Sequence, residues 1–482
     1  MKRSKMSLSY THLTSCDMGE LIPINVLEVL PGDSIRMNTS ALVRAAPMLA
    51  PPMHPTDVCI HHWFVPHRLV WSAWENFITG GPDGLDASVF PTMNAAAVTQ
   101  GTLRNYLGLP IDAGPVPAWS ALPFRSYGLI FNEWYRDQDL QTPLVVSTAS
   151  GVDTTTSQAL QNVNWEKDYF TVSRPWEQKG AAVSIPLSGT GAVTFHQPGA
   201  TPLDVTLQRA AGGANAAIQV VQTQTGGATP NPITADVALS SAGVTVNALR
   251  QSLAIQRYQE AAAMYGSRYV EYLARLGVRS SDGRLSRPEY LGGGRQTLQF
   301  SEVLQTAADG ANPVSTLRGH GISALRSNSF TRFIEEHGLI ITLMYCKPKT
   351  IYTSGMAKIW NRRTKFDYWQ RELENIGQQP ILNKEVRARH ASPDATFGYV
   401  DRYEEYRRSW SRVSGEFATS TLDFWHFARA FASDPALNST FVTSVPTDRP
   451  FAVPASDVLY INARHSIKAR RLVSAKATPR TF

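Results

Sequence analysis

The stretch Thr56–Pro66, TDVCIHHWFVP, decides the fold. Successive side chains of an extended chain point to opposite faces, and here both faces carry bulky β-branched or aromatic side chains. Pro55 and Pro66 bracket the stretch. This pattern predicts a β-strand that is covered on both of its faces.

Similar patterns occur near both ends of the chain. HGLIITLMYCKP covers His337–Pro348, and DVLYINARHSI covers Asp457–Ile467. SIRMNTSALVRA, which follows a Pro-Gly-Asp turn at 31–33, is a further predicted strand. We therefore expect the early and late strands to be joined in space, with the remaining residues inserted between them.

The composition is that of a folded chain with an ordinary core. Of the 482 residues, 43% are hydrophobic and 18% are charged, which excludes a wholly disordered protein. The net charge of +7 suits an anionic partner without requiring one. Cys16, Cys59 and Cys346 are far apart, which argues against a disulfide framework and fits a reducing cytoplasm. No apolar run is long enough to predict a membrane span.

Several segments depart from this strand pattern. Residues 181–249 hold only three charged side chains and alternate short apolar runs with turns, which predicts a β-rich projection; a flexible linker is the alternative. Apolar residues at helical spacing predict a helix over 249–277 and a shorter one over 422–431. Residues 1–16 are expected to be an arm that orders only on contact. Gly292–Gly294 is expected to form a tight turn.

No residue pattern indicates catalysis or a cofactor. His61 and His62 are adjacent in a predicted strand and point to opposite faces, so they cannot easily bind one metal ion. Glu335-Glu336 is a pair of adjacent carboxylates that do not face each other on a helix. We therefore predict no catalytic residue, no metal site and no cofactor.

Two clusters interleave aromatic rings with basic side chains, over 360–371 and 402–412. Such mixtures can stack single-stranded bases while holding phosphates. They are equally typical of protein–protein interfaces, and the acidic neighbours Asp367, Glu372 and Glu405 favour that second interpretation.

Both ends of the chain are basic. If they lie on the same side of the molecule, they present a positive surface to a polyanion; ordinary solubilising tails are the alternative. The candidate residues for contact with nucleic acid are Lys2, Arg3, Lys5, Arg464, Lys468, Arg470 and Arg471.

Long stretches of the chain resemble a known family. SCDMGELIPINVLEVLPGD, HPTDVCIHHWFVPHRLVWSAWENFITGG, LPFRSYGLIFNEWYRDQDL, RPEYLGGGRQTLQFSEVLQT, WNRRTKFDYWQRELENIGQQPILNKEV and SDVLYINARHSIKARRLV are similar to segments of the major capsid proteins of microviruses, in the same order. The gokushovirus-like branch is the most similar. The resemblance covers most of the chain outside 137–249.

The resemblance implies a mainly β fold, an antiparallel eight-stranded jelly roll with long helical and loop insertions. It places 33–42 beside Asp457–Ile467 and Thr56–Pro66 beside Leu339–Tyr345. Residues 1–482 then form one domain. The insertions are 137–296, which includes the projection at 181–249 and the helix at 249–277, and 347–456.

The function that the resemblance implies is structural. About sixty copies would assemble into a T=1 icosahedral shell around circular single-stranded DNA. The implied partners are other copies of the chain, the packaged DNA, a small basic DNA-binding protein, an internal scaffolding protein and a host surface receptor that meets 181–249. Assembly would take place in the bacterial host cytoplasm, and the protein would reside in the virion. The alternatives are a single-stranded nucleic-acid-binding module and a carbohydrate-active β-sandwich enzyme.

Overall fold

The computed structural model describes residues 3–111, 114, 116–183, 246–266, 268–307, 310 and 313–475, and the backbone of four short strands between 193 and 237. Two compact units divide the chain. The larger combines Met1–Glu177 with Ser267–Phe482, and the smaller is Gln178–Gly266. Within the described ranges, no helix has both the length and the apolar composition needed to cross a membrane.

The strands, in chain order, are β1 (Ser4–Ser7), β2 (Tyr10–Cys16), β3 (Ile22–Val29), β4 (Ser34–Ala45), β5 (Thr56–Pro66), β6 (Thr92–Met93), β7 (Trp119–Ser120), β8 (Val193–His196), β9 (Gln208–Arg209), β10 (Ile218–Gln219), β11 (Thr234–Val237), β12 (Glu289–Leu304), β13 (Leu317–Arg326), β14 (Phe330–Phe333), β15 (Gly338–Pro348), β16 (Ile351–Tyr352), β17 (Gln378–Leu382), β18 (Thr396–Asp401), β19 (Ser411–Arg412) and β20 (Leu459–Arg471). The α-helices are α1 (His67–Val70), α2 (Trp74–Thr79), α3 (Leu103–Tyr106), α4 (Leu122–Ile130), α5 (Val246–Tyr265), α6 (Tyr269–Arg275), α7 (Asn383–Val386) and α8 (Ser439–Val442).

One antiparallel sheet dominates the larger unit. Each strand in the order β1-β20-β4-β13-β12-β5-β15-β3 is hydrogen-bonded to the next, and β2 and β14 add to β20 and β4. β20 pairs with β4 over twelve residues, and β15 pairs with the whole of β5. The prediction that early strands join late ones is therefore confirmed, and the fold is mainly β.

The long strand β12 connects two halves of this sheet. Its C-terminal part pairs with β13, and its N-terminal part pairs with β5. The sheet curls here, so that side chains of both halves share one core. Val43 of β4 and Ile461 of β20 belong to the same buried cluster as Ile60 of β5 and Met344 of β15. Burying each such side chain contributes roughly 1.5–3 kcal/mol.

The prediction of a tight turn at Gly292–Gly294 is wrong, because these glycines lie inside β12. A bulge shifts the register between Tyr290 and Gly292, and Gly292 has a φ of +132°. A Cβ atom on Gly293 would lie 2.3 Å from the carbonyl oxygen of Ile60. The three glycines therefore allow β12 to bend and to pass very close to β5.

The half of the sheet that contains β5, β15 and β3 is covered on both faces. Its second face packs on α4, where Trp63 and Leu343 join Phe124 and Tyr127 in one buried cluster. Every residue of β5 except His61 is buried. This confirms the prediction made from Thr56–Pro66. The other half, built on β20, β4 and β13, has alternating buried and exposed residues and keeps one face uncovered.

The expectation that 1–16 orders only on contact is wrong for the described part of this segment. β1 and β2 both lie antiparallel to β20 and form ladders with it. Without them β20 would be an edge strand with a row of unpaired N–H and C=O groups. Residues of β1 and β2 are therefore ordered by pairing with β20 of the same chain.

Two helix predictions also need correction. Instead of one helix over 249–277 there are two, α5 and α6, and Gly266 with a φ of +90° lies between them. Within 422–431 only a short 3₁₀ turn, Asp423–Trp425, forms. Beyond it the chain is extended, because Phe427 packs in the core and the N–H of Arg429 donates to Ile351.

The smaller unit contains α5 and two pairs of short strands. β9 pairs with β10, and β8 pairs with β11, both antiparallel. The rest of 184–245 lies outside the described residues.

Candidate nucleic-acid interface

The uncovered face of the sheet is strongly basic. β20 alternates between buried and exposed residues, and Arg464, Lys468 and Arg470 are on its exposed side. β4 alternates in the same way and exposes Arg36 and Arg44. Outward side chains two residues apart on a strand are separated by about 6.8 Å, and neighbouring strands by about 4.8 Å. The cations therefore form a two-dimensional array.

The pairing of β1 with β20 brings the two ends of the chain together. Lys5 lies opposite Arg470, and Ser7 lies opposite Lys468. Lys5 and Arg470 are both exposed. The two basic ends of the chain therefore lie on the same side of the sheet at these residues.

Four cations of this face were not among the residues predicted from the sequence: Arg36, Arg44, Arg318 and Arg326. Arg36 lies opposite Lys468. Ser40 lies between Arg464 of β20 and Arg326 of β13 in one row across three strands. The alternation in SIRMNTSALVRA places Arg36 and Arg44 on the same polar side, and this signal could have identified them. Arg326 could be placed only once the register of β13 was known.

The remaining candidates occupy different positions. Arg471 is one residue beyond Arg470, and its Nε lies 3.0 Å from the buried carboxylate of Asp33. The Arg3 guanidinium lies 5.0 Å from the ring centre of Phe333. Lys2 lies outside the described residues. Arg471 is thus held in an ion pair, whereas Arg464, Lys468 and Arg470 present their charges outward.

A shallow depression of about 420 Å³ lies in the middle of the basic face. Arg326 and Arg464 line it, and the small side chains of Ser40 and Ala324 lie between them. Two guanidinium groups beside a small hydroxyl side chain can donate several hydrogen bonds to phosphate oxygens. Tyr460, which is 46% exposed, lies two rows away and opposite Arg44. Its ring is suited to stacking on a base.

The charge of this face is uncompensated. No carboxylate occurs among the outward-facing residues of β1, β2, β4, β13 and β20 in the described part of these strands. Beneath the face, Nδ1 of His465 lies 2.9 Å from Oγ1 of Thr39, and burial lowers the pKa of His465 to about 4. This histidine is therefore neutral near pH 7, and the positive charge comes from lysine and arginine side chains.

The histidines of β5 have packing roles. Nδ1 of His61 lies 2.7 Å from the hydroxyl of Tyr135 on one side of the strand. On the other side, His62 lies 2.9 Å from both Thr342 and Ser327. Across the residues that the structure describes, no group of three or more His, Cys, Asp or Glu side chains could hold a metal ion.

Comparison with known proteins shows to which family the chain belongs. A family model described as "Capsid protein (F protein)" of phages matches residues 1–481. The chain belongs to this microvirus capsid protein family. It is a structural protein of the viral shell and resides in the virion.

Individual relatives agree along nearly the whole chain. The capsid protein VP1 of Bdellovibrio phage phiMH2K is 33% identical, over 94% of this chain and 90% of that protein. VP1 of Chlamydia phage 1 is 32% identical, over 94% of this chain and 91% of that protein. VP1 of Spiroplasma virus 4 is 30% identical, over 94% of this chain and 90% of that protein. Membership of a capsid protein family, which is not an enzyme family, also means that copies of the chain assemble with one another.

Proposed function

We propose that about sixty copies of this chain close into a T=1 icosahedral shell, with the basic sheet face turned toward packaged circular single-stranded DNA. The observation that carries this proposal is the row of cations on β1, β20, β4 and β13 without a carboxylate among them. A sheet face of this kind binds phosphates without reading the base sequence, which is what packaging of a whole genome requires.

The proposed shell subunit is an eight-stranded jelly roll over 1–482, with insertions at 137–296 and 347–456. Two features support this topology. Early strands pair with late ones, as β4 does with β20 and β5 with β15. The single strand β12 belongs to both halves of the curled sheet. Curling a sheet in this way lets its two halves bury a shared core.

The charge on the shell requires a helper for packaging. At +7 per chain, sixty copies carry about 420 positive charges, whereas a genome that encodes only these 482 residues has about 1,450 phosphates. We therefore assign charge neutralisation mainly to the small basic DNA-binding protein that the family resemblance implies. An internal scaffolding protein would direct assembly in the bacterial cytoplasm.

The segment 181–249 is proposed to meet a host surface receptor. Its three charged residues among 69 distinguish it from the rest of the chain. Its described elements are two antiparallel strand pairs, β8 with β11 and β9 with β10, and the start of α5. Loops carried on a rigid support are common sites of recognition.

A charge-neutralising variant tests the DNA-facing assignment. Arg36→Gln, Arg326→Gln and Arg464→Gln would be introduced together, with Arg250→Gln, Arg257→Gln and Arg389→Gln, which are exposed elsewhere, as the matched control. We expect the first variant to form particles with less DNA. We also expect the log–log salt slope of single-stranded DNA binding to fall by about 2, at roughly 0.7 per phosphate contact. An equal loss in the control would contradict the assignment.

A further inference from the structure

An exposed aromatic patch lies in the part of the larger unit between β16 and β19. It is carried mainly by three short 3₁₀ turns between Lys358 and Leu373. Its members, which we call the aromatic patch, are Ile359, Trp360, Phe366, Tyr368, Trp369 and Tyr406. Each is between 51% and 66% exposed.

The patch is held in place by a buried polar frame. Arg362 forms an ion pair with Glu405, and both side chains are about one-tenth exposed. The same guanidinium lies 5.1 Å from the ring centre of Tyr368 and 4.7 Å from that of Tyr406. The N–H of Gln370 donates to the hydroxyl of Tyr403, which donates in turn to the carbonyl of Tyr368. Tyr368 and Tyr406 are therefore held in position before any partner binds.

The exposed area is large enough for a stable contact. With roughly 200 Å² for each aromatic side chain, five rings about half exposed leave roughly 500 Å² open to solvent. Ile359 and the stems of neighbouring side chains add to this area. One partner of a standard protein–protein interface contributes about 800 Å². Patches of several hundred Å² on a soluble surface mark interaction sites.

The chain carries a surface of opposite charge over residues 75–89, which include most of α2 and the loop after it and which we call the acidic loop. It exposes Leu85 (80%) and Val89 (64%). Its charged residues are Glu75, Asp83 and Asp86, and no Lys or Arg occurs anywhere between Arg68 and Arg104. The aromatic patch has the complementary character, since its exposed cations Arg363, Lys365 and Arg371 outnumber the exposed Glu372 beside them.

The aromatic patch and the acidic loop lie at opposite ends of β15. Trp74, which begins α2, stacks edge-on with His337 immediately before β15. The patch follows the other end of β15, where Tyr352 anchors the chain in a separate buried cluster. Ten residue steps along a strand span about 33 Å. The two surfaces therefore follow opposite ends of this strand, and each is open to a second copy of the chain.

We propose that the aromatic patch of one copy docks on the acidic loop of a second copy of this chain. A contact between two different surfaces at opposite ends of a subunit is heterologous, and a repeated heterologous contact generates rings of subunits. Closed rings are what a shell requires. This inference rests on self-assembly of the capsid family and not on the DNA-facing assignment of the sheet.

The test uses full-length particles assembled in cells. Trp360→Ser with Trp369→Ser removes two rings of the patch, and Tyr265→Ser with Tyr269→Ser, exposed in another part of the chain, is the control. We expect particle yield in sedimentation to fall about tenfold or more for the first variant and to stay unchanged for the control. The unfolding midpoint of the dissociated subunit should be the same for both, because the four side chains are exposed.

The acidic loop is tested by charge reversal. Asp83→Lys with Asp86→Lys should abolish assembly, and adding Lys365→Glu with Arg371→Glu should restore it. Normal assembly of either the patch variant or the loop variant overturns the proposal, and so does failure of the combined variant to regain particles. Patch variants that form particles with reduced DNA would identify the aromatic patch as a nucleic-acid surface instead. The sheet variants described above are expected to leave assembly intact, so the two proposals can fail separately.

Discussion

Lys5 lies directly opposite Arg470 across the antiparallel pairing of β1 with β20. Like charges in this position destabilise a strand pair by a few tenths of a kcal/mol up to about 1 kcal/mol. A sheet under selection for stability alone would place an acidic residue at one of the two positions. The repulsion between Lys5 and Arg470 is expected if the positive charge of this face serves to bind an anion.

Replacing Lys5 with Glu tests this interpretation. The variant should tighten the pairing of β1 with β20, because the opposed charges then attract. We expect slower amide hydrogen exchange in residues 4–7 together with weaker binding of single-stranded DNA. Lys5→Arg, which keeps the charge, should change neither. Faster exchange in Lys5→Glu would show that the opposed charges are not in contact in solution.

Gly293 is the second residue for which a substitution gives a sharp prediction. Gly293→Ala places a Cβ 2.3 Å from the carbonyl oxygen of Ile60, so that β12 or β5 must shift. Overpacking of this kind costs about 1–3 kcal/mol. Gly283→Ala is the control, since no heavy atom lies within 4 Å of its new Cβ. Chemical unfolding of the subunit measures both, and equal stability of the two variants would contradict the close approach of the strands.

The ion pair between Arg125 and Asp153 is fully buried, with both side chains at 0% exposure. Burial opposes ionisation of Asp153, but hydrogen bonds from Thr156 and Arg125 outweigh it and lower its pKa to about 2. The guanidinium also donates to the carbonyls of Val70 and Ala149. Arg125 thus joins α4 to the end of α1 and to the loop that contains Ala149 and Asp153.

Arg125→Met should therefore destabilise the subunit by about 3–5 kcal/mol, because it leaves the Asp153 carboxylate buried without its partner. Arg125→Lys keeps the charge and should therefore lose less stability than Arg125→Met. The free energy of unfolding in denaturant distinguishes the two. The reverse order of stability would mean that volume, and not charge, decides the role of Arg125.

The sequence predicted the frame of the fold because its strands carry a local signal. The bounds predicted for Thr56–Pro66 are those of β5, since two apolar faces and flanking prolines are all encoded within the strand. The turn predicted at Gly292–Gly294 failed for a non-local reason. These glycines allow β12 to pass close to β5, and that strand is more than two hundred residues away in the chain.

The candidate interface was predictable in part for the same reason. Arg464, Lys468 and Arg470 share a face because they differ by even numbers of residues within one strand, and Arg471 differs by one and lies on the other side. Arg326 joins them through the register of β13 with β4, which no local pattern reveals. The mixed aromatic and basic clusters over 360–371 and 402–412 were recognised from their composition. That an ion pair between Arg362 and Glu405 joins the two clusters could not be read from the sequence.

His62 makes the stability of the subunit depend on pH. Burial, followed by the proximity of His465 and His61, lowers the pKa of His62 to about 3. The unfolded chain binds a proton at this residue below about pH 6.5, whereas the folded chain stays neutral. Stability is therefore lost as the pH falls from about 6.5 toward 3, by roughly 1.4 kcal/mol for each pH unit.

We expect His62→Gln to reduce the slope of unfolding free energy against pH between pH 6 and 4 by about that amount. The exposed His320→Gln is the matched control and should leave the slope unchanged. Denaturant unfolding at several pH values measures both variants. An unchanged slope for His62→Gln would mean that the ring is already protonated in the fold.

Glu20 makes the stability of the subunit depend on pH in the opposite direction to His62. Burial, together with the nearby carboxylates of Asp17 and Asp457, raises its pKa to about 7, although the Asp17 N–H donates to it at 2.9 Å. A carboxyl group whose pKa is raised on folding stabilises the fold below its unfolded pKa, near 4.5, and this stability is lost as the pH rises toward 7.

Glu20→Gln keeps an oxygen that can accept the bond from Asp17 but carries no charge. The variant should therefore unfold at a higher temperature than the unmodified chain at pH 8 and at the same temperature at pH 4. Glu28→Gln, at an exposed position of β3, should change neither value. A gain of equal size at both pH values would trace the effect to packing, because only the ionised carboxylate distinguishes the two side chains as the pH rises.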